Sequence, residues 1–131
     1  MNVYVCLDDR GGMMFNNIRQ SRDKILVERV IEMASGGRLL INSYSKMLFG
    51  DSAFVDDAFL DNAEEGDHCF VENVPLADYQ EKISTLTIFK WNRVYPADMY
   101  FDIDLSGWKM KSTFEFEGNS HEKITCEVWG K

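Results

Sequence analysis

Four short stretches carry most of the side chains suited to chemistry. Asp23, after Ser21 and Arg22, falls where a helix begins beneath a glycine-rich loop. A carboxylate in such a first turn can accept paired hydrogen bonds from the edge of an amidine- or guanidine-like ring. The same placement also suits a carboxylate that only complements the helix N-terminus. Upstream, residues 8–17 read Asp-Asp-Arg-Gly-Gly-Met-Met-Phe-Asn-Asn. Gly11 and Gly12 can hinge a lid whose apolar underside is Met14 and Phe15; the alternative is a solvated turn whose apolar residues tuck into the core. Asn16, Arg19 and Gln20 add planar polar groups that suit a nucleobase or phosphate, although solubility explains Arg19 equally well. Asn42, Ser43, Tyr44 and Ser45 lie between a strand end and a helix start, the usual ligand crevice of an open α/β sheet, where hydroxyls hold a phosphate or ribose or else cap the helix. Lys90, Trp91, Asn92, Arg93 and Tyr95 gather base, amide and aromatic groups that can stack on a nucleotide or form a structural cluster.

Other chemistries find little support. His121 sits with Asn119, Ser120 and Glu122 in a turn between two strands, where a histidine usually serves as a surface hydrogen-bonding group, and His68 opens a strand. Neither has a second ligand at metal-binding spacing, so no metal site is expected and a metallo-hydrolase is excluded. No serine or cysteine has the local context of an elbow or an activated thiol. Cys6, Cys69 and Cys126 are odd in number, far apart and set in apolar runs, as expected of buried reduced thiols in the cytoplasm. Asp56, Asp57, Asp61, Glu64 and Glu65 form an acidic face that reads as solvated.

The elements that must position these groups follow from periodicity. Val3 to Leu7 is a continuous apolar run ending at the glycine turn, the pattern of a central strand buried on both faces. Ser21 can cap a helix from Arg22 to about Ala34, with Ile25, Leu26, Val30, Ile31 and Met33 inward and Gly36-Gly37 ending it. Arg38 to Ile41 reads as a strand, Lys46 to Phe49 as a short helix stopped by Gly50, and Asp56 or Asp57 as the cap of a short helix through Asn62. His68 to Glu72 is a third strand, Pro75 opens a helix to about Lys82, and Thr85 to Lys90 is a fourth strand. Beyond Trp91 the pattern changes to sheet alternation with only turns between, at Met99 to Ile103, Trp108 to Phe116 and Lys123 to Trp129. The last two pair as an antiparallel hairpin. The expectation is an α/β fold: a mostly parallel central sheet flanked by helices, ending in a C-terminal antiparallel β-hairpin.

With 131 residues, 45% of them hydrophobic, the chain is sized for one domain, residues 1–131, with a substantial core. The balance of 14 Lys and Arg against 22 Asp and Glu gives a net charge of −8, which repels phosphate backbones and makes nucleic acid a poor partner. No run of eighteen apolar residues occurs, so no membrane partner is expected.

The order of elements resembles dihydrofolate reductase, and local strings agree. Val5-Cys6-Leu7-Asp8 with Gly12-Met13 looks like that family's first strand and mobile loop, and Ser21-Arg22-Asp23 falls where the family places its pocket carboxylate. Leu39 to Ser45 is similar to the strand and turn before the cofactor-facing helix. Met99-Tyr100-Phe101 before Asp102, Trp108, and Asn119-Ser120-His121 before Thr125-Cys126-Glu127-Val128 resemble the last three strands. The resemblance implies a pterin pocket and NADPH, but several positions depart from it. Where the family holds the pyrophosphate on a glycine pair, this chain has Glu72-Asn73-Val74-Pro75, which sets a carboxylate against the phosphates and removes an N–H donor. Ser43 stands for a basic residue near the cofactor phosphate and Phe89 for a pocket threonine, while the Pro-Trp pair is missing around Asn17-Ile18. The family's arginine for the folate tail falls in the segment lost between Gly50 and Phe54. NADPH is therefore disfavoured and no cofactor is expected.

The strings Asp8-Asp9, Phe15-Asn16, Arg19-Gln20-Ser21, Asn42 to Ser45, Trp91 to Pro96 and Ser120 to Thr125 are also similar to a small Firmicutes group that carries the name ribonuclease Z. The residues oppose that name, because a two-zinc centre needs a dense His/Asp cluster and this chain has two histidines.

The reading favoured by these observations is a small-molecule-binding protein, its ligand nucleotide- or pterin-like and held without turnover, of bacterial or phage origin. The expected ligand-binding set is Gly12, Met14, Phe15, Asn16, Arg19, Asp23, Asn42, Ser43, Tyr44, Ser45, Phe89 and Arg93, with Asp23 as the catalytic group if there is one. The alternatives are a divergent reductase or nucleotide-modifying enzyme, and an acidic module or phage inhibitor that docks a protein partner.

Overall fold

Val3, Val5 and Leu7 on one side of the first strand and Tyr4 on the other are all buried, as a strand covered on both faces requires. In the computed structural model, which describes residues 1–131, this strand, β1 (Asn2–Leu7), is the middle member of a seven-stranded sheet. The sheet runs β5 (Phe54–Val55), β4 (Leu39–Ile41), β6 (His68–Phe70), β1, β7 (Thr85–Lys90), β10 (Ile124–Gly130), β9 (Lys109–Phe116). The first five are parallel, and β10 runs antiparallel to both β7 and β9. The expected mixed α/β architecture is present, with the C-terminal antiparallel pair at one edge.

The alternation of side chains divides the core in two. Val3, Val5, Leu7, Leu86 and Ile88 face one layer with Phe59 and Leu60 of the short helix α3 (Phe59–Asn62) and with Trp108. Tyr4, Ile41, Phe70, Phe89 and Ile124 face the other, against Leu26, Val27 and Val30 of α1 (Lys24–Met33) and Phe49 of α2 (Lys46–Phe49). Full burial of each such side chain contributes roughly 1.5–3 kcal/mol. Val27, absent from the expected stripe, is buried beside Leu26 and one turn before Val30; α1 also starts two residues later than the sequence suggested, with Asp23 rather than Ser21 as N-cap. No helix is long and apolar enough to cross a membrane.

Four further departures have local causes. The expected lid is a β-hairpin, β2 (Gly12–Phe15) and β3 (Ile18–Arg19), closed by Asn16 and Asn17 at φ 53° and 61°. Two consecutive left-handed residues are what a tight two-residue hairpin loop needs, and asparagine tolerates them. With β8 (Met99–Tyr100) the hairpin makes a separate three-stranded sheet, so the strand expected at 99–103 does not join the main one. The turn from Ala77 to Lys82 is a 3-10 helix, its entry fixed by Asp102, which accepts from the Leu76 and Ala77 N–H groups. The two-residue strand β5 carries too short a pattern to be read from sequence.

Candidate functional site

Asp23 joins the start of α1 to the turn between β9 and β10. Its Oδ1 accepts from the N–H groups of Ile25 (2.9 Å), Leu26 (3.2 Å) and Asn119 (3.1 Å), and its Oδ2 from the Ser120 N–H (2.9 Å) and His121 Nδ1 (3.0 Å). The Ser120 hydroxyl lies 3.1 Å from Oδ2. Two carboxylate oxygens offer about four lone-pair sites, so these partners saturate the group. Burial would raise its pKa, but the hydrogen bonds from Ser120, His121 and Asn119 outweigh that and hold the carboxyl down to about 2. Gly118 permits the closure: a Cβ there would collide with the Asp23 carboxylate.

Because an ionised carboxylate only accepts, the Asp23 contact puts a hydrogen on His121 Nδ1. In the neutral ring the lone pair at Nε2 then faces the Ser21 hydroxyl at 3.0 Å and the Tyr95 hydroxyl at 3.3 Å. The imidazole is 4% exposed and stacked on Trp91, with centroids 4.5 Å apart and planes at 27°. Three distant segments thus converge on a Ser21, His121, Asp23 array. The sequence signal was thin: Ser21 and Asp23 are two apart, but nothing short-range links them to a histidine almost 100 residues on.

The crevice at the ends of β1, β4 and β6 is filled from within. Glu72, just past β6, receives Arg19 Nε at 2.7 Å and Nη2 at 3.0 Å and the Ser45 hydroxyl at 2.7 Å. Arg19 lies over the Tyr44 ring at 4.5 Å, its N–H donates to the Tyr44 hydroxyl at 2.8 Å, and Nη2 donates to the Tyr44 carbonyl at 3.1 Å. Asn42 Nδ2 donates to Asn73 Oδ1 at 2.8 Å, and Ser43 is tied through both its N–H and hydroxyl to Asp57. A void of about 20 Å³ remains beside this cluster, near the space of one water.

Open space lies instead between α1 and α2, in a cleft of about 960 Å³. Val27 and Ile31 of α1 and Leu48 and Phe49 of α2 form its apolar walls, and the 119–121 turn with Arg93 and Tyr95 closes one end. Four of the 14 basic residues line it, Arg19, Arg22, Lys24 and Arg93, but only Asp23 and Glu28 of the 22 acidic ones. Arg19 is spent on Glu72 and Asp23 on its own partners, which leaves Arg22, Lys24 and Arg93 without an ion pair, against Glu28 alone. A chain of net charge −8 therefore carries a locally positive cleft.

Of the residues singled out from sequence, Asp23, Arg19 and Arg93 meet at this cleft. Tyr44 and Ser45 belong to the Arg19–Glu72 cluster. Gly12 is no hinge: a Cβ there would meet Ala97 and the Gln20 amide at 2.6 Å, and its N–H donates to buried Asp8 at 2.8 Å. Met14 is buried in the core rather than under a lid, whereas Phe15 is exposed and Asn16 serves the hairpin turn, with its N–H on Asp98. Phe89 is wholly buried, edge-on to Phe116 at 6.2 Å, and lines neither the cleft nor the small void. Cys69 and Cys126 are also buried, their thiols pushed up to about 12 by desolvation. The sequence reading missed Arg22, Lys24 and the α2 wall of the cleft.

This arrangement of strands is a dihydrofolate-reductase-like fold. A solved structure of dihydrofolate reductase from Enterococcus faecalis, complexed with NADP(H) and RAB-propyl, superposes with a TM-score of 0.71 over 98% of this chain and 94% of that one, at 12% identity. At that identity the likeness establishes the fold. No family model matches the chain, and no curated protein matches it in sequence.

Proposed function

We propose that the chain binds a small anionic organic molecule, nucleotide-like in combining a flat apolar part with a phosphate or carboxylate, in the cleft between α1 and α2. The observation that carries this reading is the reversal of charge: three unpaired cations rim an apolar-walled cavity in an otherwise acidic chain. Apolar walls supply affinity, while a few convergent charges fix orientation. A volume of about 960 Å³ suits a molecule of nucleotide size. In this reading NADPH is not the ligand. The residues at the β6 end do not fit a dinucleotide pyrophosphate, because Glu72 presents a carboxylate there and its Arg19 partner occupies the space.

The test is thermal unfolding with AMP, GMP, NADPH, folate and pterin-carboxylate as separate additives. A ligand at a hundred times its dissociation constant adds ~2.7 kcal/mol to stability. The expected result is stabilisation by a mononucleotide or pterin-carboxylate that Lys24→Glu with Arg93→Glu abolishes. Stabilisation by NADPH that survives this double substitution would overturn the reading.

A further inference from the structure

We propose that Ser21 is an acyl-accepting nucleophile, with His121 Nε2 as its general base and Asp23 as the group that orients the imidazole. The serine hydroxyl and Nε2 are 3.0 Å apart, and Nδ1 and Asp23 Oδ2 are 3.0 Å apart, both within the reach that nucleophile activation requires. Such an array is defined by geometry and role and not by chain order or fold. Helix capping accounts for Asp23 Oδ1, since Ile25 and Leu26 donate to it. It does not account for a histidine drawn in from the β9–β10 turn, stacked on Trp91 and aimed at a half-buried serine in the cleft wall. The carboxylate stays ionised, as the orienting member must. The Arg22 N–H, next in sequence after the serine, donates to no other group of the protein and is available to a developing oxyanion.

The reaction follows from these parts. The Ser21 oxygen attacks the carbonyl carbon of an ester while its proton passes to Nε2. The carbon–oxygen bond to the alcohol then breaks, and the leaving oxygen takes the proton from Nε2. Water, deprotonated in turn by Nε2, attacks the acyl-serine, releases the carboxylic acid and restores the serine hydroxyl. The substrate class, an ester bearing an anionic group, rests on the cleft reading given above; the Ser-His-Asp array does not.

The experiment uses the whole chain with two probes, p-nitrophenyl benzoate and the p-nitrophenyl monoester of terephthalic acid, whose para carboxylate cannot reach its own ester. It follows p-nitrophenolate release and locates the acyl group by intact-mass and peptide mass spectrometry. The expected result is an adduct on Ser21 from both probes, faster with the anionic one, and absent in Ser21→Ala. His121→Asn keeps a donor toward Asp23 but removes the base, and slows acylation about 10²–10⁴-fold while circular dichroism stays native. Unchanged release in Ser21→Ala, an adduct on another residue, or neither an adduct nor Ser21-dependent release from the folded protein would overturn the proposal. The two readings fail differently. Equal rates for both probes would leave the nucleophile standing and remove the anionic preference, whereas stabilisation by terephthalate with neither adduct nor Ser21-dependent release would keep the binding cleft and remove the nucleophile.

Discussion

Two arginines that both reach the α1/α2 cleft have opposite fates. Arg19 is half-buried and held on two atoms by Glu72, with Ser45 and Tyr44 completing the cluster, so the crevice at the end of β6 is closed by paired charge. Arg93 is exposed and unpaired at the end of the α1/α2 cleft. The contrast teaches that charge sequence alone does not locate a site. A cation whose partner is built into the fold is part of the architecture, and one without a partner is left to meet a ligand. Separating these fates by mutation gives the sharpest tests.

The largest effect is expected from Glu72→Ala. Removing one partner of a largely buried pair leaves the Arg19 charge uncompensated and should cost about 3 kcal/mol by urea unfolding. The apolar double Arg19→Met, Glu72→Leu should recover much of that loss, because it removes both desolvated charges. Equal losses in single and double variants would show that the pair is not an architectural plug. Next comes Gly118→Ala, whose Cβ would enter the Asp23 carboxylate. Overpacking of this kind costs about 2 kcal/mol, and the same change at exposed Gly107, with open space around its Cβ position, should cost far less.

The fold was largely legible before any coordinates, and for a definite reason. Val3 to Leu7 is a continuous apolar run and Thr85 to Lys90 is rich in β-branched and aromatic residues, so their strands at the sheet centre follow from pattern alone. The site was legible only in fragments. Asp23 and Arg93 were picked out by type and position, and both line the cleft. Met14 was placed at a ligand as the underside of a lid and Phe89 by the family resemblance, yet both are buried in the core. The Ser21 and His121 contact could not be seen, since it depends on how the turn after β9 folds back onto the start of α1. The Asn16-Asn17 hairpin was within reach, because two asparagines between apolar residues are a turn signal, but the preceding glycines drew attention to a lid.

Asp23 also predicts a pH dependence. Its folded pKa of about 2 lies below the ordinary aspartate value, so its ionised form stabilises the fold above pH ~4. That contribution, about 2 kcal/mol, is lost as the pH falls from ~4 through the folded pKa. Wild type should therefore lose stability over this range more steeply than Asp23→Asn, measured as urea midpoints at successive pH values. Parallel curves would mean that the turn residues do not hold the carboxylate as the structure shows.

The smallest effect on stability should come from the cleft cations, and this smallness gives the comparison its sharpest form. Arg22, Lys24 and Arg93 are exposed and make no ion pair, so replacing any one by alanine should change unfolding stability by no more than about 0.5 kcal/mol. Removing two of them should leave the fold untouched while bringing the cleft's cations and carboxylates into balance. The paired Arg19 offers the opposite profile, a large stability loss with little change in the charge presented to an anion. Arg93→Ala that proved as destabilising as Glu72→Ala would show that the cleft cations are architectural too, and the distinction between closed crevice and open cleft would collapse.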